Sequence, residues 1–126
     1  MLYICLVHFD DKEVFANLDA AEKAQLDIDS IGYDQDLAQS GNLVRAQALQ
    51  PPETAVLVRV RDGKISATDG PFLETKEQLG GFILIEARDL NDAIRIAGGI
   101  PLAKHGTIEV RPIYHVPRPD KAAQQG

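Results

Sequence analysis

The chain has 126 residues, 44% of them hydrophobic, which suits one folded domain and argues against disorder. A formal charge of −6 with no Lys/Arg stripe excludes nucleic acid and an anionic membrane as natural partners. Its one cysteine, Cys5, excludes an internal disulfide and predicts a buried, inert thiol in a reducing cytoplasm.

Residues 2–8, "LYICLVH", are short, apolar at nearly every position and read as a strand. The run is too short to span a bilayer and lacks the basic start and cleavage site of a signal peptide. "FDDKEVFANLD" follows as a polar connection. Asp19 with Glu22 forms a capping-box pattern that opens a helix over 20–39. Ala24, Ile28, Ile31 and Ala38 supply its predicted buried stripe, and Gly41 its left-handed end.

Residues 42–49 alternate Leu43, Arg45 and Gln47 against Val44, Ala46 and Ala48, as a strand with one better-buried face does. Pro51–Pro52 stiffens a connection. "AVLVRVRDGKISAT" predicts a hairpin, because Asp62–Gly63 supplies the positive φ angles of a tight turn. "GFILIEA", 81–87, is a strand apolar on both faces. Asp89 caps a second helix whose predicted apolar side is Leu90, Ala93, Ile94 and Ala97, ended by Gly98–Gly99 and Pro101. Residues 107–116 form the last strand; Pro112 within it predicts a sheet edge. Residues 117–126 read as a frayed tail, leaving a single domain over 1–116.

Without the hairpin the order is β-α-β-β-α-β, an α+β ferredoxin-like arrangement. That topology puts the strands at 2–8 and 81–87 in the middle of the sheet, and both are apolar on both faces. Two helices cover one face only. The other set of side chains therefore needs cover, and a second copy packed sheet to sheet supplies it economically. The alternative is that the inserted hairpin and the loop after it fold over the face within one chain.

The stretch 68–82, "TDGPFLETKEQLGGF", concentrates chemistry. Read as structure, Asp69 accepts backbone N–H groups in an Asx turn, Gly70 adopts a conformation closed to other residues, Pro71 fixes the next φ, Phe72 plugs the core, and Gly80–Gly81 lets a neighbour approach. Read as function, Asp69, Glu74 and Glu77 rim a polar pocket where a desolvated carboxylate serves as a general base. Glu109 and Arg111 share one strand face, opposite Ile108 and Val110; they form either a solvated ion pair or a clamp for an acid. His8 ends the first strand beside Asp10 and Asp11, a reasonable place for an acid–base group, and equally for a surface histidine. Tyr33 either leans a hydroxyl into a pocket or anchors helix to sheet. His105 and His115 have weaker cases. None of the three histidines shows metal-ligand spacing, and no phosphate loop or serine elbow occurs, so no metal or cofactor is expected.

Asp69–Phe72 with Glu74, Lys76, Glu77, Gly80–Gly81, Pro101 and the run Glu109–Pro112 resembles the YCII-related family, in its branch named for the Asp-Gly-Pro-Phe motif. The resemblance implies a dimeric α+β barrel. In relatives that process lactones or chloroaromatics, it also implies a histidine on the first helix beside an aspartate. The helix at 20–39 has no histidine. Relatives associated with extracytoplasmic-function sigma factors suggest a regulatory or accessory role instead. Two functions follow as expectations. One is a homodimer whose cavity binds, and by acid–base chemistry processes, a small polar organic molecule, with Asp69, Glu74 and His8 as candidate catalytic groups and Arg111, Glu77, Glu109 and Tyr33 as candidate ligand contacts. The other is a non-catalytic partner or sensor module whose carboxylate loop is architectural.

Overall fold

The computed structural model describes residues 1–117; of the tail expected at 117–126, all but Pro117 lies outside the described residues. Six strands and three helices follow in the order β1 (Leu2–Phe9), α1 (Asp11–Ala16), α2 (Ala20–Gln39), β2 (Leu43–Ala48), β3 (Val56–Arg61), β4 (Lys64–Asp69), β5 (Gln78–Glu86), α3 (Leu90–Gly98) and β6 (Thr107–Pro112), with short 3-10 turns at Pro52–Thr54 and Pro101–Lys104. Four of the strands make one antiparallel sheet in the order β2-β5-β1-β6. This is the ferredoxin-like α+β order, with the two doubly apolar strands central and the proline-bearing β6 at an edge.

The helices lie on one face of the sheet. Tyr3, Cys5 and Val7 of β1 and Ile83 and Ile85 of β5 form a buried core with Leu37 of α2 and Ala93, Ile96 and Ala97 of α3. The Cys5 thiol is deep in this core, and burial pushes its pKa up to about 11, which keeps it protonated and inert. Leu2, Ile4, Leu6, Phe82 and Leu84 point to the other face and are only half-buried.

Caps fix the helix ends. Asp19 and Glu22 make the reciprocal capping box of α2, and Asp89 accepts the Asp92 N–H at the start of α3. Gly41, at φ 81°, closes α2 with paired bonds from its own N–H and that of Asn42 to the carbonyls of Ala38 and Leu37.

Several local expectations change. The segment after β1 is not all connection: Asp10 caps a short helix, α1, that buries Val14. Ile28 and Ile31 of α2 are exposed; the sheet-facing stripe is Leu26, Ser30, Tyr33 and Leu37. That stripe has helical spacing but mixed polarity, so hydropathy does not reveal it. On α3, Leu90 and Ile94 are exposed, and Asp92 and Ile96 take the inward positions with Ala93 and Ala97. In β2 a bulge at Val44 turns Leu43 to the same side as Ala46. β5 begins earlier than expected, at Gln78, and β6 ends at Pro112.

The inserted hairpin forms as a separate two-stranded sheet, β3 with β4, turned by Asp62 and Gly63 at φ 51° and 72°. Val56, Val58, Val60 and Ile65 are all exposed, while Leu57 turns to its own chain, bordering a hollow with His8 at one end of the open sheet face.

Candidate functional site

His8, next to last in β1, points to the helix-free face beside β6. The β1–β6 register sets Leu6 opposite Glu109 and His8 opposite Thr107. On that face His8 Nε2 lies 3.0 Å from Glu109 Oε1. The Thr107 hydroxyl donates to Glu77 Oε1 at 2.8 Å, so the loop before β5 is tied to β6. An imidazole held by one carboxylate, with a second carboxylate tethered nearby, has an orienting partner and a polar neighbourhood for proton transfer.

His8 and Glu77 border a hollow of about 520 Å³; Glu109 and Thr107 are outside its lining and reach it through their bonds to His8 and Glu77. Its polar lining includes His8, Thr75, Glu77 and Gln78, and its apolar walls come from the 49–57 connection and from Pro71, Phe72, Leu73 and Leu79. An apolar hollow with a few convergent polar groups is the common form of a small-molecule site.

The loop over 69–78 is built differently from the expectation. Gly70 has an ordinary negative φ; glycine fits there because a Cβ would lie 2.9 Å from the Ala55 Cβ, while its N–H donates to the Ala55 carbonyl at 2.8 Å. The Gly70–Pro71 bond is cis. Phe72 does not plug the core; it is 70% exposed, with the Arg59 guanidinium 6.0 Å from its ring centre. Asp69 does not organise the turn: among the described residues its carboxylate accepts no hydrogen bond. That work falls to Gln78, whose amide donates to the carbonyls of Leu73 (2.6 Å) and Thr75 (2.9 Å), and to Thr75, whose hydroxyl donates to the Glu77 carbonyl at 2.7 Å. Gly80 and Gly81 do allow close approach, of the Phe9 ring and of the Gln47 carbonyl.

The structure therefore gathers His8, Glu77 and Glu109. Asp69 ends β4 opposite Val56, exposed and outside the lining of the hollow. Glu74 is exposed in the loop, and Arg111 lies opposite Ile4 on β6, both also outside it. His105 borders an adjoining recess with Asp10, Glu13, Lys76 and Glu77, and His115 is exposed beyond β6. Among the described residues no three His, Cys, Asp or Glu side chains converge to hold a metal ion.

Tyr33 works on the helix side. Its hydroxyl donates to the Ile96 carbonyl at 2.6 Å and ties α2 to α3. It also borders a smaller cavity of about 190 Å³ with Ser30, Asp34 and Val7. Burial raises the pKa of the Tyr33 hydroxyl and of the Asp34 carboxyl. Asp34 and Gln78 do not stand out in the sequence. Asp34 had one available signal, its helical spacing from Ser30 and Leu37 on the inward stripe; Gln78 had none.

The YCII-related domain matches residues 1–117. The chain belongs to the YCII-related family. An uncharacterized protein of Rhizobium meliloti (strain 1021) is 33% identical over 116 residues, which cover 90% of this chain and 92% of that protein. No helix among the described residues is long and apolar enough to cross a membrane.

Proposed function

We propose that this YCII-related protein binds a small organic molecule with an apolar body and a weakly acidic, hydrogen-bonding end in the hollow beside His8. His8, oriented by Glu109, is the group placed to take a proton from that end; Glu77, held by the Thr107 hydroxyl, supplies the neighbouring polar wall. The observation that carries the reading is the 3.0 Å contact of His8 with Glu109 at the border of a hollow walled by Pro71, Phe72 and Leu73. Neither partner of this contact is deeply buried, so both remain within reach of a molecule in solution.

The reading includes a homodimer packed sheet against sheet, forming the α+β barrel. Leu2, Ile4, Leu6, Phe82 and Leu84 support it, since each such side chain gains up to ~1.5–3 kcal/mol on full burial and none is fully buried in one chain. A cytoplasmic setting suits the reduced, buried Cys5.

The test is a panel of phenols, enolisable lactones and small hydroxy acids, read by thermal shift and by the imidazole resonances of His8. Active compounds should raise the melting temperature and move the His8 signals. His8→Gln should abolish both responses, and Asp69→Asn should leave them. A panel that stabilises His8→Gln as well as the parent protein would refute the assignment.

A further inference from the structure

The β3–β4 hairpin is two-faced, one side polar and the other, but for Asp69, apolar. The register pairs Val56 with Asp69, Val58 with Ala67 and Val60 with Ile65 on one side; Leu57, Arg59, Arg61, Lys64, Ser66 and Thr68 take the other. The second side is polar and solvated along most of its length; at its start Leu57 borders the hollow, and Arg59 sits over Phe72. The first side is apolar and bare, with Val58 65% and Ile65 77% exposed. Such alternation is the pattern of an antiparallel ribbon with one face packed and one in water. An isolated two-stranded hairpin is marginal in water, so the bare face needs a surface to rest on.

We infer that the hairpin is an arm whose valine face docks on a second copy of this chain. The inference rests on the dimer proposed above and says how that dimer is held. Area supports the choice of partner. The open sheet face measures roughly 500 Å² from strand spacing and rise, and the hairpin face adds roughly 200 Å², against about 800 Å² per partner in a typical stable interface. The sheet alone falls well short; sheet and arm together come near. A twofold axis would let each copy give one arm and receive one.

The chain has no tryptophan, so a single introduced one reports on its own position. Ile65→Trp and Val58→Trp place it on the bare face, and Ser66→Trp on the solvated one. Light scattering and fluorescence are followed together from nanomolar to high micromolar concentration. The expected result is a mass rising from 13.7 kDa to twice that. Emission at positions 65 and 58 should move to shorter wavelength in step with mass, while position 66 stays water-like. Val58→Lys, at a site exposed in the single chain, should weaken dimerisation by at least about tenfold. A doubled mass with positions 65 and 58 still in water overturns the arm and leaves the dimer standing. A blue emission independent of concentration also overturns it, since the face would then be covered within one chain. A mass of one chain throughout removes the dimer and the arm with it.

Discussion

The two faces of the main sheet are made of the same kinds of residue and have different fates. Tyr3, Cys5, Val7, Ile83 and Ile85 are sealed beneath α2 and α3, whereas Leu2, Ile4, Leu6, Phe82 and Leu84, their immediate chain neighbours, are half-buried. The difference comes from connectivity. Each helix links two parallel strands that flank a third, and the right-handed rule for such crossovers puts both helices on one side. Apolar alternation thus reports that a face is to be buried, and not by which chain.

The largest test of this contrast is truncation on each face. Ile85 and Ile96 are fully buried, and Ile85→Ala or Ile96→Ala should cost about 2–5 kcal/mol in urea unfolding. Leu84→Ala, one residue away on the open face, should cost clearly less in dilute protein, and its cost should grow with protein concentration as the proposed dimer forms. Equal costs for Leu84→Ala and Ile85→Ala at nanomolar concentration would erase the distinction between the faces.

The covered side also carries a buried charge. Asp92 accepts from the Arg88 backbone N–H at 3.0 Å and from the Arg95 guanidinium at 2.8 Å, and these bonds, the backbone one foremost, hold its pKa at about 2 rather than 3.8. A lowered folded pKa means the stabilisation is present above 3.8 and drains away as pH falls towards 2. Asp92→Asn should therefore be less stable than the parent protein at neutral pH and show a flatter acid limb across that window. An acid limb of unchanged slope would show that other groups set it.

The fold was legible because the two central strands are apolar on both faces, the hairpin alternates about an Asp-Gly turn, and each major helix has an Asp cap. The helix faces were less so. Ser30, Tyr33 and Asp34 occupy inward positions of α2 while Ile28 and Ile31 face out, so hydropathy points to the wrong side. The site was legible only in parts. His8, Glu77 and Glu109 stand out singly, but they are far apart in the chain, and only the β1–β6 register and the Thr107–Glu77 bond bring them together. Asp69 and Glu74, adjacent in sequence to the conspicuous glycines and proline, project outside the hollow. Spacing along a loop does not fix direction, whereas pairing in a sheet does.

A smaller effect belongs to the seam between α2 and α3. Tyr33→Phe removes the bond to the Ile96 carbonyl and should cost about 1 kcal/mol. Burial, its largest influence, raises the Tyr33 pKa above 10, so the neutral hydroxyl is the form the fold favours. Its contribution is complete below 10 and is lost as pH rises through the raised value. Tyr33→Phe should narrow the alkaline loss of stability, measured by urea midpoints on either side of pH 10; an identical alkaline limb would mean the hydroxyl is free in both states.

The smallest expected change in stability is at Phe72, and it separates a core role from a site role. At 70% exposure the ring has little transfer energy to lose, and its contact with Arg59 is an exposed one. Phe72→Ala should shift unfolding by no more than about 1 kcal/mol, in the range of ordinary surface changes. The same ring is a wall of the hollow beside His8. Its removal opens that wall, so compounds that stabilise the parent protein should stabilise Phe72→Ala far less. A loss of several kcal/mol in the unliganded protein would place the ring in a core after all. Unchanged ligand stabilisation would instead show that binding takes place away from this loop.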